Sequence, residues 1–238
     1  MKTQVEEKFS NFFERWVSEL EEFVKHLMKV DASDQDPHLR ALVSKLTAHF
    51  KLYYSVKWAQ AHQDVLAFFS PSWLTPLETA YNWVTGWKPS MAFRLILPIH
   101  PPVSPDQLLH LHQLRLRIKA QQDRVDRDME RHQMALADRD MVHLSRLRTR
   151  SRRSGEREPL LLDGQVDVAI NALLRRLEKT MKAADCVRLN TLKGILDLLT
   201  PLQCVRFCLS ISLIHIRLRQ WGNNPNPIPP LKSHHQIQ

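Results

Sequence analysis

The 238 residues carry 43% hydrophobic and 25% charged side chains, enough apolar material for a real core. Only 5 glycines occur, which argues against β-meanders and against glycine-rich loops that cradle phosphate. The formal net charge of +9 admits nucleic acid, anionic lipid or an acidic protein as partner and selects none of them.

Phe9, Phe12, Phe13, Trp16, Val17, Leu20, Phe23, Val24 and Leu27 step by three and four, which predicts an amphipathic first helix with an aromatic stripe. Residues 31–36 read as a turn. Pro37 then opens a second helix whose stripe, Leu39, Leu42, Val43, Leu46 and Phe50, runs on through Trp58 to about Phe69, before Pro71. Thr75-Pro76-Leu77-Glu78 combines a capping threonine, a first-turn proline and a capping-box glutamate; Ser104-Pro105-Asp106-Gln107 and Thr200-Pro201-Leu202-Gln203 repeat the device. The helix begun at Thr75 is expected to break at a corner, WVTGWKPS, with Gly86 turning at positive φ and Ser90 capping a short helix beyond Pro89. Trp73, Trp83 and Trp87 read first as core, with Trp83 buried and Trp87 partly exposed at the turn. The functional reading makes Trp87, Lys88 and Trp73 a candidate partner-binding set.

From Pro105 to about Arg148 neither glycine nor a further proline interrupts one long central helix with a thin seam of Leu111, Ile118 and Val125. Arg146 to Pro159 reads as an internal basic linker. Its Arg146, Arg148, Arg150, Arg152, Arg153 and Arg157 form a candidate anion-binding or nuclear-import patch, against the plainer reading of a solvated stretch. No aromatic residue interleaves with these arginines, so stacking on single-stranded nucleic acid is not suggested. Val166, Ile170, Leu173, Leu174, Leu177 and Met181, continued by Leu189 to Leu199, give another helical stripe. The apolar run Leu202 to Leu218 carries Arg206 and Arg217 and reads as a core helix rather than a membrane span, closed by a glycine stop at Gly222. The proline-rich tail, 223–238, is expected to be disordered. Nothing alternates with period two. The fold class is therefore all-α, a multi-helix bundle over 8–222 with one long central helix and a basic linker.

Chemistry is sparse. GxGxxG, the P-loop and GxSxG are absent. Cys204 and Cys208 stand one turn apart with His215 seven residues on, but structural zinc needs four closed ligands, and small core residues fit that stripe better. Cys186, Cys204 and Cys208 are expected as reduced, buried thiols. Spacing among the 12 histidines asks for neither haem nor metal. No catalytic residue, cofactor or metal is assigned. The polar start MKTQVEEKFS lacks a signal core, so secretion is not expected.

Three elements, FSNFFERWVSEL, then SWLTPLETAYNWVTGWKPSMAFRLIL, then ADCVRLNTLKGILDLLTPLQCVRFCLSISLIHIRLRQWG, occur in that order. Together they resemble the plant DELAY OF GERMINATION (DOG) domain over about residues 8–222. That domain is shared by seed-dormancy regulators, the Inaperturate Pollen factor and the C-terminal part of TGA-type bZIP transcription factors. The segment VDRDMERHQMALADRDMVHLSRL is more similar to the pollen and dormancy-paralogue branch. The resemblance implies a non-enzymatic helical domain that binds other proteins, with family members or type 2C protein phosphatases as partners, in a pollen-aperture or seed-dormancy programme. It also implies a cytoplasmic or nuclear protein, with peripheral attachment to an anionic plasma-membrane surface as a further expectation. Phe9 already belongs to the domain's first helix, so no bZIP is expected before it and direct sequence-specific DNA binding is not expected. The competing expectation is a transcriptional co-regulator that uses the basic linker near DNA.

Overall fold

The computed structural model describes residues 2–31, 33–135 and 159–224, and all regular structure among them is helical. In chain order it comprises α1 (Gln4–Met28), α2 (Asp36–Ala61), α3 (Leu66–Phe69), α4 (Pro76–Ala80), a 3₁₀ segment (Pro89–Leu95), α5 (Pro105–Ala135), α6 (Pro159–Leu198) and α7 (Pro201–Gly222). The basic run Arg146 to Arg157 and the tail from Pro225 onward lie outside the described residues.

The three capping devices form as the sequence implies. Thr75 and Thr200 each accept from the N–H three residues on, while Glu78 and Gln203 bond back to the cap. Ser104 and Gln107 do the same at the head of α5. A fourth box, Thr3 with Glu6, starts α1. Each satisfies N–H groups that have no partner within their own helix.

α1 buries Phe9, Phe13, Trp16 and Leu20 in the main core, with α2 and α7 packed against it. Between α1 and α2, the Trp16 indole donates to the His49 carbonyl at 3.1 Å, and His49 Nε2 donates to the Trp16 carbonyl at 3.0 Å. The two rings stack 4.9 Å apart. α5 and α6 run antiparallel, because Gln107 reaches Leu198 at one end and His132 meets Thr180 at the other. The heads of α5 and α7 also meet: Gln107 Nε2 donates to Gln203 Oε1 at 2.9 Å. α7 is the one described helix long and apolar enough to cross a membrane. Here its Val205, Phe207, Cys208, Ile211 and Ile216 belong to the core.

Several expectations need correction. α2 ends at Ala61 rather than near Phe69; the separate α3 follows from Leu66, and Asp64, just before its N-cap Val65, accepts from the Ala67 N–H at 3.2 Å. α4 stops after Ala80, well short of Gly86. The segment after the corner is 3₁₀ and Ser90 does not cap it; the Ser90 N–H donates to the buried Gln122 side chain at 2.6 Å. Gln122 interrupts the α5 seam because it satisfies that N–H. Gly222 is the last residue of α7, not a left-handed stop beyond it, and a Cβ there would lie 2.1 Å from Thr75 Oγ1. Close approach explains that glycine. Cys204 and Cys208 are buried as expected, but Cys186 is exposed.

Candidate partner-binding corner

Lys57 on α2 and Asp185 and Arg188 on α6 are all within 1% of full burial and face the loop 81–88. Asp185 and Arg188 are one turn apart, so they share a helix face. The Asp185 carboxylate accepts from Lys57 Nζ at 2.9 Å, from Arg188 Nη1 at 2.5 Å and from the Trp58 indole at 3.0 Å. The cations then turn outward to the loop. Arg188 Nε donates to the Trp87 carbonyl at 2.7 Å, and its Nη2 donates to the carbonyls of Val84, at 2.8 Å, and Trp83. Lys57 Nζ donates to the Thr85 carbonyl at 3.0 Å and to Thr85 Oγ1 at 2.8 Å.

These bonds account for an unusual backbone. Val84 and Thr85 have φ of 40° and 62°, left-handed values that β-branched residues seldom adopt. Such strain costs roughly 1–3 kcal/mol per residue and persists only where the surroundings hold it. Here Trp83, Val84, Thr85 and Trp87 aim carbonyls, and Thr85 also its hydroxyl, at buried cations. Gly86, expected to supply the positive φ, does not; those angles fall on its two predecessors. Gly86 is needed for space, since a Cβ would lie 3.0 Å from the Arg188 guanidinium carbon.

Two cations share one carboxylate. Burial and the neighbouring Arg188 charge pull the Lys57 ammonium down to about 8, against the pull of Asp185. Burial also lowers the nearby His215 imidazole to about 4, so it is neutral at physiological pH.

The corner presents its aromatic residues unevenly. Trp87 is half-buried and its indole donates to the Tyr54 hydroxyl at 3.2 Å. Lys88 is exposed. Trp83, expected in the core, is half-buried at the rim; its indole donates to Asp126 at 2.7 Å and its ring lies 5.3 Å from the Arg188 guanidinium. Trp73 does not join a surface with Trp87 and Lys88. It is 6% exposed, with Phe9 and Phe68 rings 4.7 and 5.2 Å away, and is a core residue. Beside the corner an aromatic groove of about 120 Å³ opens between α1, α4, the 3₁₀ segment and α7. Trp16 and Tyr54 line it with Trp87, and Tyr81, 59% exposed, and Met91 stand among its more open residues.

Among the described residues no three histidines, cysteines or acids gather as a metal site. Cys204 instead donates its thiol to the Leu196 carbonyl at 3.3 Å, and His215 sits near Phe50 in the groove wall. Lys57, Asp185 and Arg188 were not singled out from sequence. The signal was present: Lys57 follows Phe50 and Tyr54 on the buried face of α2, and Asp185 and Arg188 interrupt the apolar run from Met181 to Ile195.

With this geometry in view, the chain can be placed. A sequence profile described as "DOG1: Seed dormancy control" matches residues 16–98, from Trp16 through the corner. Protein DOG1-like 4 of Arabidopsis thaliana is 45% identical over 228 residues, 94% of this chain and 95% of that protein. Protein ZW2 of Arabidopsis thaliana is 28% identical over 226 residues, 92% of this chain and 98% of that protein. The TGACG-sequence-specific DNA-binding protein TGA-2.1 of Nicotiana tabacum is 31% identical over 212 residues, 89% of this chain but 45% of that protein. These similarities define a class of plant regulatory proteins related to part of the TGA factors. The chain belongs to the DOG1-like family.

Proposed function

We propose that this protein is a non-enzymatic adaptor in a plant developmental programme, of the seed-dormancy or pollen-aperture kind, that binds a partner protein at the 81–88 corner and its groove. The observation that carries the reading is the buried Lys57–Asp185–Arg188 cluster, spent on holding a strained aromatic loop at the surface. Rigid presentation of aromatic and cationic side chains lowers the ordering cost of binding. Type 2C protein phosphatases and other members of the family are the partners to try first. The cellular setting is cytoplasmic or nuclear, with attachment to anionic plasma membrane through the Arg146–Arg157 run. Calorimetry of those candidates against Lys88→Glu and Tyr81→Ala tests the reading. Both side chains are exposed, so melting should hold while affinity falls about 30-fold, a hot-spot loss of about 2 kcal/mol. Parental affinity in both variants would sink the corner as the site.

A second reading, a transcriptional co-regulator near DNA, draws on the similarity to a DNA-binding TGA protein and on the basic run. A salt titration of DNA binding separates the two: phosphate contact gives a steep fall with salt, and a flat response removes this reading.

A further inference from the structure

We propose that the segment Ile228-Pro229-Pro230-Leu231 of this chain docks into the aromatic groove beside the corner and occupies it from within the same molecule. The first argument is where α7 delivers the chain. Leu218 lines the groove one turn before the helix ends. Arg219 then bonds to Glu78 at 3.4 Å and to Glu14, tying the last turn to α4 and α1, both of which flank the groove. Gly222 lies against Thr75, the cap of the same α4 that carries Glu78 and leads into Tyr81. The chain therefore leaves α7 beside the groove.

The second argument is length. Ile228 follows Gly222 by six residues. At ~3.1 Å per extended residue that gives a reach of about 19 Å, enough to pass the five-residue α4 and return to the groove. A tether this short supplies an effective concentration on the order of millimolar, so even a weak site would be filled.

The third is chemistry. Proline-rich segments bind grooves lined by aromatic rings, because their extended form is already set and little entropy is lost. This groove is lined by Trp16, Tyr54, Tyr81 and Trp87, and its volume of about 120 Å³ suits one or two proline, leucine or isoleucine side chains. Tyr81, at 59%, and Met91, at 39%, leave apolar surface exposed at its edge. Within 223–238, Ile228 to Leu231 lies in the longest apolar run, Pro227 to Leu231.

The groove is the one proposed above for a partner, so the tail would be what a partner displaces. The test needs no partner and can fail while the partner reading stands. Benzoylphenylalanine replaces Leu231 in the full chain, and dilute protein is irradiated. Crosslinks should map within one chain to Met91, Tyr81 or Leu218, and should drop at least fivefold in Tyr81→Ala. A labelled peptide of residues 223–238 should bind a chain ending at Asn224 at least tenfold more tightly than it binds the full chain. Crosslinks elsewhere on the surface overturn the proposal, as does a yield unchanged by Tyr81→Ala. Crosslinks found only between chains would assign the groove to a second copy and equally overturn it. A peptide that binds both chains alike, or neither, does the same.

Discussion

Asp185 accepts from two buried cations and an indole, and its loss is not equivalent to the loss of either cation. Asp185→Asn leaves Lys57 and Arg188 buried with no counter-charge. An uncompensated buried charge of this kind costs about 3–5 kcal/mol. Lys57→Met leaves Arg188 and Asp185 as a balanced pair, so urea unfolding should find it clearly less damaging; the reverse order would refute the charge assignment. The same cluster sets a pH dependence. The Lys57 ammonium titrates at about 8 in the fold against 10.5 in the open chain. Between those values the unfolded chain binds more protons, so stability rises with pH there, and the burial cost is fully present below pH 8. Above about pH 9 the buried Cys204 and Cys208 thiols oppose the trend, and above about pH 10 Tyr53 and Tyr54 do so too, because these groups stay protonated in the fold while the open chain ionises. Stability measured from pH 7 to 9 should climb in the parent and lie flatter in Lys57→Met. None of these residues stood out from sequence, because a charge on a buried helix face declares its place only when its partner, here 128 residues away, is known.

At the level of elements, sequence was most informative where the cause is local. Capping boxes act over three residues, and all three recognised from sequence formed. Period-three-and-four stripes likewise placed α1, α5, α6 and α7. Sequence misjudged a local break, since α2 stops at Ala61 and α3 starts at Leu66 with no proline or glycine between them, and a distant cause, since the corner was given to Gly86 although Arg188 dictates it. The glycines allow a direct test. At Gly194 a Cβ would sit 2.9 Å from both Leu114 methyls, so Gly194→Val should lower the melting temperature by forcing α5 from α6. At Gly222 even alanine would displace the Thr75 hydroxyl from its cap, costing about 1 kcal/mol or more. Gly164, exposed within α6, meets nothing within 4 Å. Gly164→Ala should therefore stabilise by about 0.5–1 kcal/mol through helix propensity alone. Melting curves of the three variants check both signs.

Across the whole molecule, the core is gathered at one end of the α5–α6 pair. Its members from α5 end at Val125, and those from α6 begin at Met181. Residues 127–135 and 166–173 lie beyond it, while Leu174 and Leu177 pack at its edge near the His132–Thr180 bond. Amide exchange in those stretches should be faster than in the core-facing turns 111–125 and 181–198, since local opening there uncovers less apolar surface. Equal protection would show that the arm unfolds only with the bundle. At the opposite end, the meeting of Gln107 and Gln203 makes two distant positions interdependent. Each side-chain oxygen accepts from its own cap N–H, at 2.8 and 2.9 Å. Each side-chain nitrogen serves the other helix or its approach: Gln107 donates to Leu198 and Gln203, and Gln203 donates to the Pro102 carbonyl at 3.1 Å. Glutamate would cap either helix alone as well as glutamine does. Here it has no proton to donate, and two glutamates would set carboxylate against carboxylate. A choice that is free at most helix starts thus becomes a joint one, in which neither position can drift to the acid without penalising a helix 96 residues away.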